Sequence, residues 1–189
     1  MARKGLKYAA FAPGTYVDGA APVYSNGSIF AALVRADVSF TRSNAKLYAD
    51  NGLHLTDNGI TGGSVTIEVA DLPDDAQVTV LGVTKAEDGI VYETDADAPL
   101  GGFGYVTTEE GDDGTDRFIG WLIYKTQFGM TSDNANTRGE STDFQTPSLE
   151  GTFMAVALPD VEGNSYRAHK TFSKESDARD WVKTQLSIT

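Results

Sequence analysis

The residues best equipped for chemistry are two histidines, a glycine-rich stretch and an acidic run. His54 lies in a polar, turn-rich segment and His169 in "SYRAHKTF". They are far apart and have no HExxH or comparable ligand spacing, so each reads as an isolated surface side chain. "GGSVT" at 62–66 lacks the GxSxG elbow that exposes a nucleophilic serine. "PLGGFGYV" at 99–106 has the glycines of a phosphate loop but no Gly-Lys-Ser/Thr ending, and it runs into a strand pattern, so it reads as a β-turn or bulge. In "TTEEGDDGTDR", 107–117, placing Gly114 at the sixth position of a calcium loop puts Glu109 first and Gly120 twelfth, where a bidentate glutamate is required. That run reads as a solvated hairpin tip. Asn26-Gly27-Ser28 matches a glycosylation acceptor and is read as a turn. The expectation is no catalytic residue, no metal site, no cofactor and no enzyme.

The elements that would position these groups are short. Asn-Gly occurs at 26–27, 51–52 and 58–59, and Asp-Gly at 18–19, 88–89 and 113–114, both being dipeptides that tolerate the positive φ of tight hairpins. Between them lie apolar or alternating runs at 28–42, 64–70, 89–94, 103–108, 118–128, 142–147 and 149–158. Many short strands divided by turn signals indicate a sandwich or barrel. Two segments differ. "DLPDDAQVTVLG", 71–82, has acid and proline at its start and glycine at its end, the signals of a short helix. "SKESDARDWVKTQL", 173–186, offers Ser173 as a cap and sets Ala178, Trp181, Val182 and Leu186 on one helical face.

Composition bounds the rest. A chain of 189 residues is read as one domain with its own core, and the absence of cysteine removes disulfides and thiolate metal sites. The opening "MARKGLKYAAFAPGTY" has no apolar signal-peptide core and no run reaches the length of a membrane span, so a soluble, untargeted chain with no membrane partner is expected. The formal net charge of -12 argues against gripping phosphate backbones, though not against letting nucleic acid pass.

One segment is unusual. "TRSNAKLYADNGLHLTDNGITGG", 41–63, joins two strand patterns, whereas connections usually run to about 4–6 residues. It carries Leu47, Tyr48, Leu53 and Leu55, apolar groups that a free loop has no reason to hold and that could dock on a partner.

Together, "ARKGLKYAAFAP", "KLYADN", "DNGITGGSVTIEVADL", "DAPLGGFGYV", "GESTDFQTPSLEGTFMA" and "TFSKESDARDWV" resemble, in order from residue 2 to about 182, the major tail proteins of long-tailed, non-contractile bacteriophages. Agreement is weaker at 107–117 and 157–165. The resemblance implies a mainly β, tail-tube-type sandwich or barrel with a short flanking helix and a C-terminal helix. It implies a single tail-tube domain over 1–189, with an extended N-terminal segment at about 1–24 and a long stacking loop at 43–63. Some relatives append an immunoglobulin-like domain, for which this chain leaves no room. Six copies would close into a ring and rings would stack into a tube in the virion tail, assembled in the host cytoplasm. Partners would be further copies of the chain and the tail tip, tape-measure and tail terminator proteins, with DNA passing through the lumen without specific binding. Leu47, Tyr48, Leu53, His54 and Leu55 would then reach the neighbouring ring.

Strand alternation places Asp37, Ser39 and Thr41 on one face with Val38 and Phe40 opposite. Likewise Ser64, Thr66 and Glu68 lie opposite Val65, Ile67 and Val69. If the two strands pair, Asp37, Ser39, Thr41, Thr66 and Glu68 would line the lumen, on a face expected to carry no Arg or Lys; the same face would otherwise be outer surface. Two other classes stay open at this point, a secretion-system tube protein of related fold and an acidic β-sandwich binding module.

Overall fold

The computed structural model describes residues 2–30, 32–49, 52–57, 59–112, 114–132 and 146–188, with the backbone alone at 2, 47–49, 52–57 and 131–132. Turn residues cut the chain into fifteen strands and two helices among the described residues. The first part runs β1 (Ala2–Thr15), β2 (Val23–Tyr24), β3 (Ser28–Ile29), β4 (Leu33–Arg42), β5 (Ala45–Ala49), β6 (Gly52–Asp57) and β7 (Ile60–Val69). Helix α1 (Asp74–Leu81) follows, then β8 (Thr84–Ala86), β9 (Gly89–Val91), β10 (Gly101–Glu110) and β11 (Asp116–Ser132). The chain continues through β12 (Ser148–Met154), β13 (Val156–Ala157), β14 (Asn164–Ser165), β15 (Arg167–Phe172) and α2 (Glu175–Gln185).

Nine strands form one antiparallel sheet in the order β2-β1-β10-β11-β12-β7-β4, with β3 also pairing β1 and β15 also pairing β11. This sheet cannot lie flat. β3 sits at one edge, yet β4, at the other edge, starts four residues after Ile29, a link spanning at most about 14 Å. Hydrogen bonds pin both sides of that link: Phe30 N–H donates to the Ala9 carbonyl and Ala70 N–H to the Ala32 carbonyl, each at 2.9 Å. The sheet is therefore rolled until its edges approach, and the expected mainly β architecture takes the form of a rolled sheet with two helices.

The inside of the roll is filled by the inward alternate residues of its strands. Phe11, Phe103 and Phe128 meet edge to face, with Phe128 centred 5.8 Å from Phe11 and 5.2 Å from Phe103. Val65, Ile67, Val69 and Leu149 come from the strands opposite. Helix α1 adds Ala76, Val80 and Leu81 to this core. It forms as its acidic first turn and terminal glycine indicate: Gly82 caps it at φ 68°, and burial of Val80 outweighs the poor helix propensity of its β-branched residues.

Helix α2 lies on the outer face of β1, β10 and β11. Ala178, Val182 and Leu186 pack there against Ala10, Ala12, Val106 and Leu122. The helix can approach because glycine floors its seat. A Cβ on Gly102 would fall 2.6 Å from Leu186 Cδ2, one on Gly120 would fall 2.7 Å from Trp181 Cε3, and one on Gly104 would collide with Val182 Cγ1. The "GGFGYV" glycines thus belong to a strand interior, with one register irregularity between Gly101 and Phe103 and no turn.

Other sequence expectations need correction. The N-terminal segment is strand β1, paired with β10 along most of its length and with β3 and β2 only at 10–11 and 14–15. Ser173 does not cap α2; Lys174 holds the N-cap position in extended conformation with no side-chain cap bond. Trp181 is half-buried, packed 6.3 Å from Phe172, while Val182 and Leu186 are fully buried. The strand β15 carrying His169 was not foreseen. Of the run at 142–147, residues 142–145 lie outside the described residues.

Leu186→Ala should lower unfolding free energy by about 2–5 kcal/mol, and Gly104→Val by about 1–3 kcal/mol through overpacking. Trp181→Ala should cost less than Leu186→Ala, as read by urea denaturation of the three variants beside the parent protein.

Candidate functional site

The two strands flanking the long connection do pair. β4 and β7 run antiparallel with Asp37 opposite Thr66, Ser39 opposite Ser64 and Thr41 opposite Gly62. Val65, Ile67 and Val69 are fully buried, and Val38 is partly buried against the same core. Phe40 is 37% exposed and caps the core by packing on Phe153 and Tyr166. The opposite face holds Asp37, Ser39, Thr41, Ser64, Thr66 and Glu68, each exposed or half-buried. It continues onto β12, where Glu150 lies opposite Thr66 and Thr152 opposite Ser64. Beside it, Asp97, Gln127, Glu150 and Thr152 line an open depression of about 450 Å³.

The expectation that this face has no Arg or Lys is overturned. Arg35 lies opposite Glu68, and its Nε stands 2.6 Å from Asp37 Oδ2 while Nη1 is 3.9 Å from Glu68 Oε1. The signal was present in the sequence: Arg35 precedes Asp37 by two positions, so a strand period of two puts both on one side. The guanidinium offsets one charge among Asp37, Glu68 and Glu150, and as an exposed cluster it adds at most about 1 kcal/mol to stability.

The connection at 43–63 is not an irregular loop. Its described residues form the two-stranded hairpin β5–β6, with Ala45 opposite Asp57, Leu47 opposite Leu55 and Tyr48 opposite Leu53. Among the described residues the hairpin pairs with no other strand. It grows from the β4–β7 pair, where Ser43 N–H donates to the Gly59 carbonyl at 2.7 Å and Thr61 Oγ1 to the Thr41 carbonyl at 3.3 Å. The backbone of Leu47, Tyr48, Leu53, His54 and Leu55 is described; their side chains lie outside the described residues.

Sequence reasoning missed a second feature. β1 has a register irregularity between Lys7 and Ala10, and Tyr8 within it holds φ 64°, a left-handed conformation that a bulky residue adopts only under constraint. Tyr8, Ile29, Glu175, Arg179, Asp180 and Lys183 line a groove of about 420 Å³ beside α2. Lys7 Nζ is 3.0 Å from Glu175 Oε2, Arg179 also pairs with Glu175, and the Arg179 guanidinium lies 5.6 Å from the Tyr8 ring centroid. The Lys7 hydrogen bond and the Arg179 charge hold the Glu175 carboxyl below its usual range. Burial pushes the Tyr8 phenol up to about 12 against the opposing pull of Arg179. Tyr8 Oη and Arg179 Nε are buried without a hydrogen-bond partner. No residue type announces this groove, because its origin is a bulge in a strand with no clear alternation.

The remaining candidates resolve simply. The acidic run is the β10–β11 turn, closed by Gly111 N–H to the Thr115 carbonyl at 2.8 Å. Its flanking carboxylates meet the basic N-terminal strand: Arg3 Nε is 3.1 Å from Glu109, and Lys4 Nζ is 3.3 Å from Glu110 and 2.6 Å from Asp116. His169 is exposed with its ring 4.7 Å from that of Trp121. Among the described residues no His, Asp and Glu cluster is placed to hold a metal, and no helix is long and apolar enough to cross a membrane.

Burial also raises the phenols of Tyr16 and Tyr24, whose hydroxyls both donate to the Tyr124 carbonyl at 2.8 and 2.6 Å. An unfolded tyrosine ionises near 10.0, whereas Tyr8, Tyr16 and Tyr24 keep their protons in the folded state. Above that pH the unfolded state binds fewer protons, so stability must fall as pH rises toward 12. The urea midpoint should decline across this range, and Tyr24→Phe should make the decline shallower; a flat profile in the parent protein would contradict it.

No family model matches the chain, and no curated protein matches it.

Proposed function

We propose that the protein is a structural unit that works by assembly: copies close into hexameric rings, and the rings stack into the tail tube of a long-tailed, non-contractile bacteriophage, through which DNA passes. The observation that carries this reading is the ribbon between β4 and β7. Two adjacent strands of a packed sheet are joined through a hairpin that pairs only with itself among the described residues, an arm that adds nothing to the roll's own ladder. Such an arm is explained by contact with another molecule, and it occupies the place where the resembling family carries its stacking loop. The ordered resemblance of segments from residue 2 to about 182 supplies the kind of assembly. The protein then has no turnover, and its partners are its own copies and the proteins that begin, measure and end a tail.

The polar outer face of β4, β7 and β12 suits a channel wall. Asp37, Glu68 and Glu150, offset only by Arg35, repel phosphates, and sixfold repetition would multiply that repulsion at each ring. DNA would slide along such a wall without being held.

Two measurements bear on this reading. Replacing residues 45–58 with a short Gly-Ser linker should leave a folded domain, because β4 and β7 keep their own pairing, while tubes disappear from negative-stain images. Tubes that form at the parent rate would show that the arm has another purpose. Asp37→Lys combined with Glu68→Lys should leave tubes intact but make them retain DNA and slow ejection. Failed assembly would put the two residues at a subunit contact, and unchanged ejection would put them on the outside.

A further inference from the structure

Charge is divided between the two faces of the sheet. From Asp71 to Asp97 the sequence carries eight carboxylates and one lysine, Lys85, which is seven of the twelve net negative charges in 27 residues. This segment clusters around α1: Lys85 pairs with Asp75 at 2.6 Å, and Tyr92 hydrogen-bonds to Gln77. Helix α1 belongs to the core inside the roll, whereas α2 covers the outer face of β1, β10 and β11. Lys170 to Lys183, on the α2 side, reverses the balance, with four basic residues and three acidic ones in a chain that is strongly acidic overall. Lys174 and Lys183 on this side enter no ion pair among the described residues.

The outer side also has a receptor. The groove between the Tyr8 bulge and α2 is lined by Arg179, paired to Glu175, by Asp180 and by Lys183, which enters no ion pair among the described residues. The apolar side chain of Ile29, 49% exposed, forms part of its wall. The acidic segment presents a matching probe. The β8–β9 hairpin projects Glu87 and Asp88 at a fully exposed turn, with Val91 and Tyr92 following at 47% and 57% exposure. An anion flanked by apolar side chains on one surface meets lysines without an ion pair and an apolar wall on the other.

We infer that the acidic β8–β9 hairpin of one copy docks against α2 of the next, its Glu87 and Asp88 carboxylates accepting from the lysines Lys174 and Lys183 of that helix. The occupant is a second copy of this chain, since the complementary charge lies in the same sequence on the opposite face of the same sheet. A contact between two different surfaces repeats from copy to copy, giving a ring where the rotation closes and a filament where it does not. This contact supplies the lateral or axial joint of the assembly under "Proposed function" and rests on that reading. It also makes assembly sensitive to salt, because exposed pairs are screened over a Debye length of about 10 Å at 0.1 M.

The test is charge exchange at positions that no core depends on. Sedimentation velocity on the purified chain should show that Glu87→Lys with Asp88→Lys, or Lys174→Glu with Lys183→Glu, raises the concentration needed for assembly at least about tenfold, because like charges then oppose. A mixture of the two double variants should recover assembly, since each provides the surface that the other has lost, and the neutral pair Lys174→Gln with Lys183→Gln should fall between. Circular dichroism of each variant alone should match the parent. Reversals that assemble like the parent, or a mixture no better than its components, would overturn the docking and leave the tube reading standing. A parent protein that stays monomeric at low salt would overturn both.

Discussion

Strand β10 is buried on both faces, and this burial shapes most of the molecule. Its residues from Gly101 to Thr108 are all buried, because the roll closes over one face and α2 over the other. The inward positions can be large, hence Phe103 and Tyr105; directly beneath Leu186 and Val182 the outward ones must be nearly absent, hence Gly102 and Gly104, whereas Val106 packs in the same cluster. Its neighbours obey the same rule. β1 turns Phe11 inward and Ala10 and Ala12 outward, and β11 turns Trp121 inward and Gly120 outward. Trp121 also needs a partner for its ring N–H in this dry setting and finds Thr107 Oγ1 at 2.9 Å.

The rest of the sheet is under no such constraint. β12, β7 and β4 have one buried face, so their outer positions can be serine, threonine and charged residues. At the junction, β11 changes partner from β15 to β12 between Ile123 and Thr126. Phe40, Phe153 and Tyr166 fill the fork, and the Arg167 guanidinium lies 5.1 Å from the Phe40 ring and 4.4 Å from that of Trp121. The molecule thus divides into a half sealed by a helix and a half with a polar wall and a projecting ribbon. Such asymmetry suits the assembly proposed above, in which each copy would offer different surfaces to different neighbours.

What could be read beforehand follows this division. Strands with one wet face alternate visibly, so β7 and the polar side of β4 were legible, as were α1 from its acidic start and terminal glycine and α2 from its apolar face. Strands wet on neither face carry no alternation. β1 is dry only over 9–12, with Phe11 set among alanines, so it read as an extended segment, and the glycines of β10, which read as a turn or bulge, are explained by α2. The Tyr8 groove had no signal, since a bulge is a mismatch between two strands about a hundred residues apart and only the pairing exposes it. The hairpin at 45–57 was hidden because Asn and Asp turn residues dominate its sequence and leave only a short alternation, Leu53 and Leu55 about His54. Arg35 is different, because the rule that placed Asp37 would have placed it too.

The pairing of β1 with β10 has a consequence in time. Arg3 and Glu109, joined by an ion pair, are separated by 106 positions. During synthesis at about 5–20 residues per second, β1 waits roughly 5 to 20 s for the strand beside which it belongs. Its backbone donors and acceptors on the β10 side are open throughout that interval, an unpaired strand edge of the kind that invites another chain. Like charges on Arg3 and Lys4 oppose such pairing at close range until Glu109, Glu110 and Asp116 arrive to pair with them.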